Sequence, residues 1–116
     1  MRRGTMVALD CSGSMHRDMT PSAMLKLVEL TKGPRMQSFG FDTEIHEGAP
    51  KALRGGTDFN CVIKRFRKSD YAKLIIVTDG YAPTPETTPW LRKRLTWLVP
   101  EGYNKEVDRL GTVITY

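Results

Sequence analysis

Strand-like and helix-like segments alternate along the 116-residue chain, and the alternation predicts an α/β domain in which helices cover a sheet. Three observations carry that expectation. Two short apolar runs, Met6 to Leu9 and Leu74 to Val77, each stop at a polar turn, as strands buried on both faces do. Between them Phe59, Val62, Ile63 and Phe66 fall at i, i+3, i+4 and i+7, the apolar stripe of a helix. The composition, 40% hydrophobic and 27% charged, is that of one small globular domain over residues 1–116 and excludes disordered, collagenous and repeat proteins. No apolar run approaches the ~18 residues of a membrane span, so no membrane role is expected.

The elements follow in order. Thr5 to Leu9 reads as a buried strand that ends at Asp10. Thr20-Pro21 supplies an N-cap with proline in the first turn, Met24, Leu25, Leu27, Val28 and Leu30 supply the apolar positions, and Gly33-Pro34 closes a helix over 21–32. Met36 to Phe41 and Glu44 to Glu47, around Asp42-Thr43, read as a strand and its hairpin partner near a sheet edge. Asp58 to Arg67 is the second helix, and Leu74 to Val77 the next buried strand, ended by Thr78-Asp79-Gly80. Tyr81 to Pro89, rich in Pro and Thr, reads as an exposed loop before a third buried strand, Leu95 to Val99. A short helical turn is expected within Glu101 to Arg109 and a last strand over Gly111 to Tyr116. Strands joined through helices run parallel with right-handed crossovers, so the carboxyl ends of the strands starting at Thr5, Leu74 and Leu95 share one edge. Open sheets of this kind bind ligands at that edge.

Charge is uneven. Residues 1–58 carry 8 Lys+Arg against 7 Asp+Glu, and residues 59–116 carry 10 against 6. The excess gathers in Lys64, Arg65, Arg67 and Lys68 and in Arg92, Lys93 and Arg94, a candidate contact face for nucleic acid or an acidic protein. The one aromatic residue inside these clusters, Phe66, belongs to the apolar stripe of the helix, so no stacking platform is interleaved and a solvated helix surface is the simpler account. Arg2-Arg3 begins like a signal sequence, but the apolar run behind it is short and meets Asp10, so a cytoplasmic location is expected. Cys11 and Cys61 are too few for a disulfide scaffold or a structural zinc site.

Three loops at the carboxyl edge carry oxygen ligands: Asp10-Cys11-Ser12-Gly13-Ser14, Arg54-Gly55-Gly56-Thr57-Asp58 and Thr78-Asp79-Gly80. Two strand-end aspartates facing the hydroxyls of Ser12, Ser14 and Thr57 form an all-oxygen set suited to a hard divalent cation, Mg²⁺ first, with Mn²⁺ or Ca²⁺ as substitutes. Taken singly, Ser12 and Thr57 could as well cap helices and Asp79 begin a turn.

These residues resemble a von Willebrand factor A-type (VWA) domain with a metal-ion-dependent adhesion site. That family's pattern is Asp-x-Ser-x-Ser after the first strand, a Thr in a later loop and an Asp after a central strand, and Asp10, Ser12, Ser14, Thr57 and Asp79 stand in that order. Phe41 to Glu47 and the Gly-Gly-Thr-Asp-Phe loop are most similar to the short bacterial VWA-like domain found beside a metallopeptidase-like domain, and a second relative is the VWA domain of Ro-type RNA-binding proteins. The resemblance implies a compact Rossmann-like fold in the order 3-2-1-4-5-6, strand 3 antiparallel at an edge, with helices on both faces. It implies that Ser12, Ser14 and Thr57 hold the metal through hydroxyls and Asp10 and Asp79 directly or through water. Asp58, Gly13, Gly56 and Gly80 support the ligand loops, and a partner protein's Asp or Glu completes the coordination. The segment between Ser14 and Met36 has room for little more than one helix, so a covering helix is expected to be missing or replaced by a partner.

Rival chemistries fit less well. Asp10-Cys11-Ser12 lacks the second Asp of haloacid-dehalogenase-type phosphoryl transfer, and Ser12 lacks the preceding glycine of a nucleophile elbow. His46-Glu47 begins a zincin motif that Pro50 and Lys51 do not complete. Cys11 has His16 and His46 as conceivable bases but occupies a position where a small buried side chain is expected. The expectation is a metal-dependent protein-interaction module rather than an enzyme. A hydrolase or nucleotide-handling enzyme using the same cation, and an RNA-associated domain of the Ro type, are the alternatives.

Overall fold

A computed structural model describes residues 2–11, 21–31, 33, 35–46 and 56–116. The described residues form an α/β fold with β1 (Thr5–Asp10), α1 (Pro21–Leu30), β2 (Met36–Phe41), β3 (Ile45–His46), α2 (Phe59–Lys68), β4 (Lys73–Val77), α3 (Pro89–Arg92), β5 (Leu95–Val99) and β6 (Thr112–Thr115). Five strands run parallel in the order β2-β1-β4-β5-β6, and the two-residue β3 pairs antiparallel with the outer side of β2. β1 sits inside the sheet, with Leu9 level with both Gly40 and Val77. No helix among the described residues is long and apolar enough to cross a membrane.

Alternation along the strands divides the core between two faces. Met6 and Ala8, Phe39 and Phe41, Leu74 and Ile76, and Trp97 and Val99 point to one face, where the stripe Phe59, Val62, Ile63 and Phe66 of α2 covers them together with Leu91, Val107 and Leu110. Asp58 caps α2, its side chain accepting from the Asn60 N–H at 2.9 Å. At the other end the Arg2 guanidinium donates to the carbonyls of Phe66 and Arg67 in the last turn and of Tyr71 just beyond it, tying the start of the chain to the end of α2. The second face is smaller. Val7, Ile75, Val77 and Leu98 lie there against Leu27 and Leu30 of α1. That helix leaves Leu25 and Val28 exposed, and Met36 at the start of β2 is exposed as well.

Several boundaries differ from the sequence reading. The helix expected over 21–32 stops at Leu30, where the Thr31 hydroxyl and N–H both donate to the Leu27 carbonyl. The segment after Tyr81 is not wholly exposed, since Pro85 is buried, and it ends in α3, where Thr88 caps a single turn begun by Pro89. One turn contains too few apolar positions for a periodic signal, which explains why the sequence shows only the loop. The turn expected within Glu101 to Arg109 is a 3₁₀ helix over Lys105–Arg109. Beyond it Gly111, at φ +155°, lets the backbone approach β5 so closely that a Cβ would lie 2.5 Å from the Leu95 carbonyl oxygen.

Trp97 sits at the centre of the larger core, fully buried and edge-on to Phe59 with ring centroids 4.9 Å apart. Its Nε1–H finds no acceptor among the described residues. Trp97→Ala should therefore cost about 3–5 kcal/mol in urea denaturation through the cavity it opens. Trp97→Phe should cost clearly less, because it also removes the unpaired buried donor; equal losses would contradict this packing.

Candidate functional site at the carboxyl edge

β1 delivers Asp10 to the carboxyl edge, and its neighbour β4 delivers Thr78 and Asp79. Both aspartates are buried, at 5% and 8% exposure. A carboxylate there must be compensated, because burial removes the water that would solvate it. Asp10 Oδ2 accepts a 2.5 Å hydrogen bond from the Thr78 hydroxyl, which in turn accepts from the Gly80 N–H at 3.1 Å. Asp79 Oδ1 accepts from the Tyr81 N–H at 3.1 Å, and no cationic side chain among the described residues pairs with it.

The backbone around these groups is tied into one edge. The Cys11 N–H donates to the Phe41 carbonyl at 2.7 Å, joining the end of β1 to the end of β2. Just beyond β2, the Asp42 carbonyl accepts from the Asp58 N–H at 2.8 Å, which places Thr57, half-buried, beside that exit. On the other side the Asn104 N–H donates to the Asp79 carbonyl and its side-chain Nδ2 to the Gly80 carbonyl, both at 2.9 Å. Gly80 takes φ +80°, and a Cβ there would lie 3.0 Å from Val107 Cγ1, so the turn that follows Asp79 favours glycine.

Of the expected ligand set, Asp10 at the end of β1 and Thr57 and Asp79 in loops thus lie at this one edge, with Gly56, Asp58 and Gly80 beside them; Ser12, Gly13 and Ser14 lie outside the described residues. No three His, Cys, Asp or Glu side chains gather among the described residues. The expected set draws three of its five ligands from hydroxyls, so it is not a cluster of that kind. Asp58 is the helix cap already described. Thr78 and Asn104 were not singled out from the sequence, and only the Thr-Asp-Gly turn hinted at the former.

Among the described residues, neither cysteine is well placed as a nucleophile. Cys11 is buried, its thiol donating to the Leu9 carbonyl at 3.3 Å. Burial, with the nearby Asp58 charge adding to it, pushes the Cys61 thiol up to about 11. His16 lies outside the described residues, and His46 is placed only as a residue of β3.

The basic residues collect at the opposite edge. α2 runs from the carboxyl edge at Asp58 to the amino edge, where Arg65, Arg67 and Lys68 form its last turn, with Lys64 just before. Arg92, Lys93 and Arg94 stand immediately before β5. Arg92 is held by the carbonyl and hydroxyl of Thr87, and Arg94 by the Trp90 carbonyl at 2.8 Å. The one aromatic residue inside the sequence clusters, Phe66, is buried, but the fold brings the Trp90 ring under Arg2 and Arg94 and the Tyr71 ring under Arg35.

Against known proteins, the chain matches no family model and no curated sequence.

The Cys61 environment makes a direct prediction. The fold favours the protonated thiol, so this contribution to stability is whole below pH 9 and is lost as the pH rises towards about 11. Iodoacetamide should therefore alkylate Cys61 in the folded protein far more slowly at pH 8 than in urea, with the gap closing as the pH climbs; equal rates at pH 8 would contradict the burial of this thiol.

Proposed function

We propose that the chain is a compact VWA-type domain, strand order 3-2-1-4-5-6, that binds Mg²⁺ at its carboxyl edge and uses the ion to capture an acidic side chain of a partner protein. The observation that carries the reading is the pair of buried carboxylates, Asp10 and Asp79, at the ends of adjacent parallel strands, the second with no cationic partner among the described residues. Two anions so placed repel each other, and a divalent cation relieves that repulsion.

The donor set suits a hard cation, because every expected ligand is a carboxylate or hydroxyl oxygen. Asp10, Asp79 and Thr57 would hold the ion with Ser12 and Ser14, and Thr78 keeps the Asp10 carboxylate oriented. The bound ion supplies a positive charge that neutral hydroxyls leave incompletely neutralised, and a partner carboxylate meets it with little competition from water. The same chemistry accounts for a protein partner that presents Asp or Glu. Mn²⁺ and Ca²⁺ bind comparable oxygen sets and are expected to substitute with different strength.

Thermal unfolding of chelator-stripped protein under a Mg²⁺ titration tests the reading. The native protein should show a saturable rise, equivalent to about 2.7 kcal/mol at a hundredfold excess over Kd. Asp79→Asn should abolish the rise and leave the metal-free transition nearly unchanged, since the amide oxygen still accepts from the Tyr81 N–H. An undiminished rise in the variant, or none in the native protein at millimolar cation, would refute the site.

A further inference from the structure

The two sheet edges differ sharply in charge. Asp10, Asp42, Asp58 and Asp79 stand at the carboxyl edge, whereas Arg2-Arg3 precede β1, Arg35 precedes β2, Lys73 opens β4 and Lys93-Arg94 precede β5. The amino edge is also concave. Two adjoining hollows of about 570 and 390 Å³ share Ala72, Lys93 and Arg94; Arg2 completes one, and Arg35 and Lys73 lie in the other. No carboxylate among the described residues lines either hollow. Asp70, the acidic residue nearby, is committed to Arg35 at 2.5 Å, and that bond, more than the charge of the guanidinium alone, holds its carboxyl below the ordinary carboxylate range.

Two guanidiniums of this groove are fixed before any ligand arrives. Arg2 is anchored to three carbonyls and Arg94 to one, and both lie over the Trp90 ring, 4.7 and 4.4 Å from its centroid. Trp90 remains 37% exposed. Lys73 and Lys93 are exposed and make no ion pair among the described residues. Anchored planar donors beside mobile ammonium groups suit phosphodiesters, since the first lose little entropy on binding and the second follow the backbone. Trp90 lines neither hollow but backs the two guanidiniums that do, so the phosphates of an unpaired strand meet ordered cations, and only the exposed part of the ring is left for a base at the end of the groove. An acidic peptide would use the charges but leave the ring idle.

We infer that the amino edge is a binding groove for single-stranded nucleic acid, independent of the cation site on the opposite edge. Fluorescence anisotropy of a labelled dT₁₂ probe with the full chain, in chelator so that the carboxyl edge is silent, provides the test. Binding should weaken with salt along a log–log slope of roughly −0.7 for each phosphate neutralised. Lys73→Glu with Lys93→Glu should weaken it at least about tenfold, and Trp90→Leu, which keeps an apolar side chain over Phe66, about fivefold or more. Lys26→Glu with Lys105→Glu removes the same charge from exposed positions elsewhere and should leave affinity within about twofold. The inference is overturned by absent binding at low salt, by an equal loss in the charge-matched control, by a duplex of the same length binding as tightly, or by a twelve-residue polyglutamate displacing the probe at equal concentration.

Discussion

Burial of the Asp10 carboxylate at the end of β1 is the constraint on which the rest of the carboxyl edge depends. A strand buried on both faces delivers its last residue into a place where water is scarce, and an anion there must be met by protein donors or by a counter-charge. The Thr78 hydroxyl of the adjacent strand meets part of that need and is itself held by the Gly80 N–H. One hydrogen-bond chain therefore couples the register of β1 and β4 to the turn that carries Asp79. Asn104 locks the same turn from the far side.

The same logic separates the molecule's charges. Parallel strands place all their amino ends at one edge and all their carboxyl ends at the other, so basic residues before strands and acidic residues after them become two opposed surfaces. The arginines at the amino edge also serve the fold. Arg2 closes the last turn of α2, and Arg94 closes α3. Each is thereby fixed beside Trp90, which packs on Phe66 at 6.0 Å. Residues that finish helices are in this way also presented as an ordered cationic surface.

Much of this architecture is legible in the chain because the signals are local. The runs at Met6 and Leu74 and the stripe from Phe59 to Phe66 each carry their own periodicity, and Asp58 caps the helix it precedes. α3 was missed because one turn is too short to be periodic. The cationic surroundings of Trp90 are not legible in the chain, because they include Arg2, which is adjacent in space and distant in sequence. At the candidate site, the aspartates and Thr57 could be read from their places after strands and before a helix. The hydroxyl that partners Asp10 could not, because a bond from Thr78 to Asp10 depends on which strands are neighbours, and no local pattern encodes that.

Anomalous diffraction from crystals of the full chain grown in Mn²⁺ would test the central claim most directly. The account predicts a single strong anomalous peak at the carboxyl edge, within coordinating distance of carboxylate or water ligands on Asp10 and Asp79 and close to the Thr57 hydroxyl. A peak elsewhere, or an edge without one at saturating metal, would contradict it and leave the two buried aspartates as parts of the fold alone.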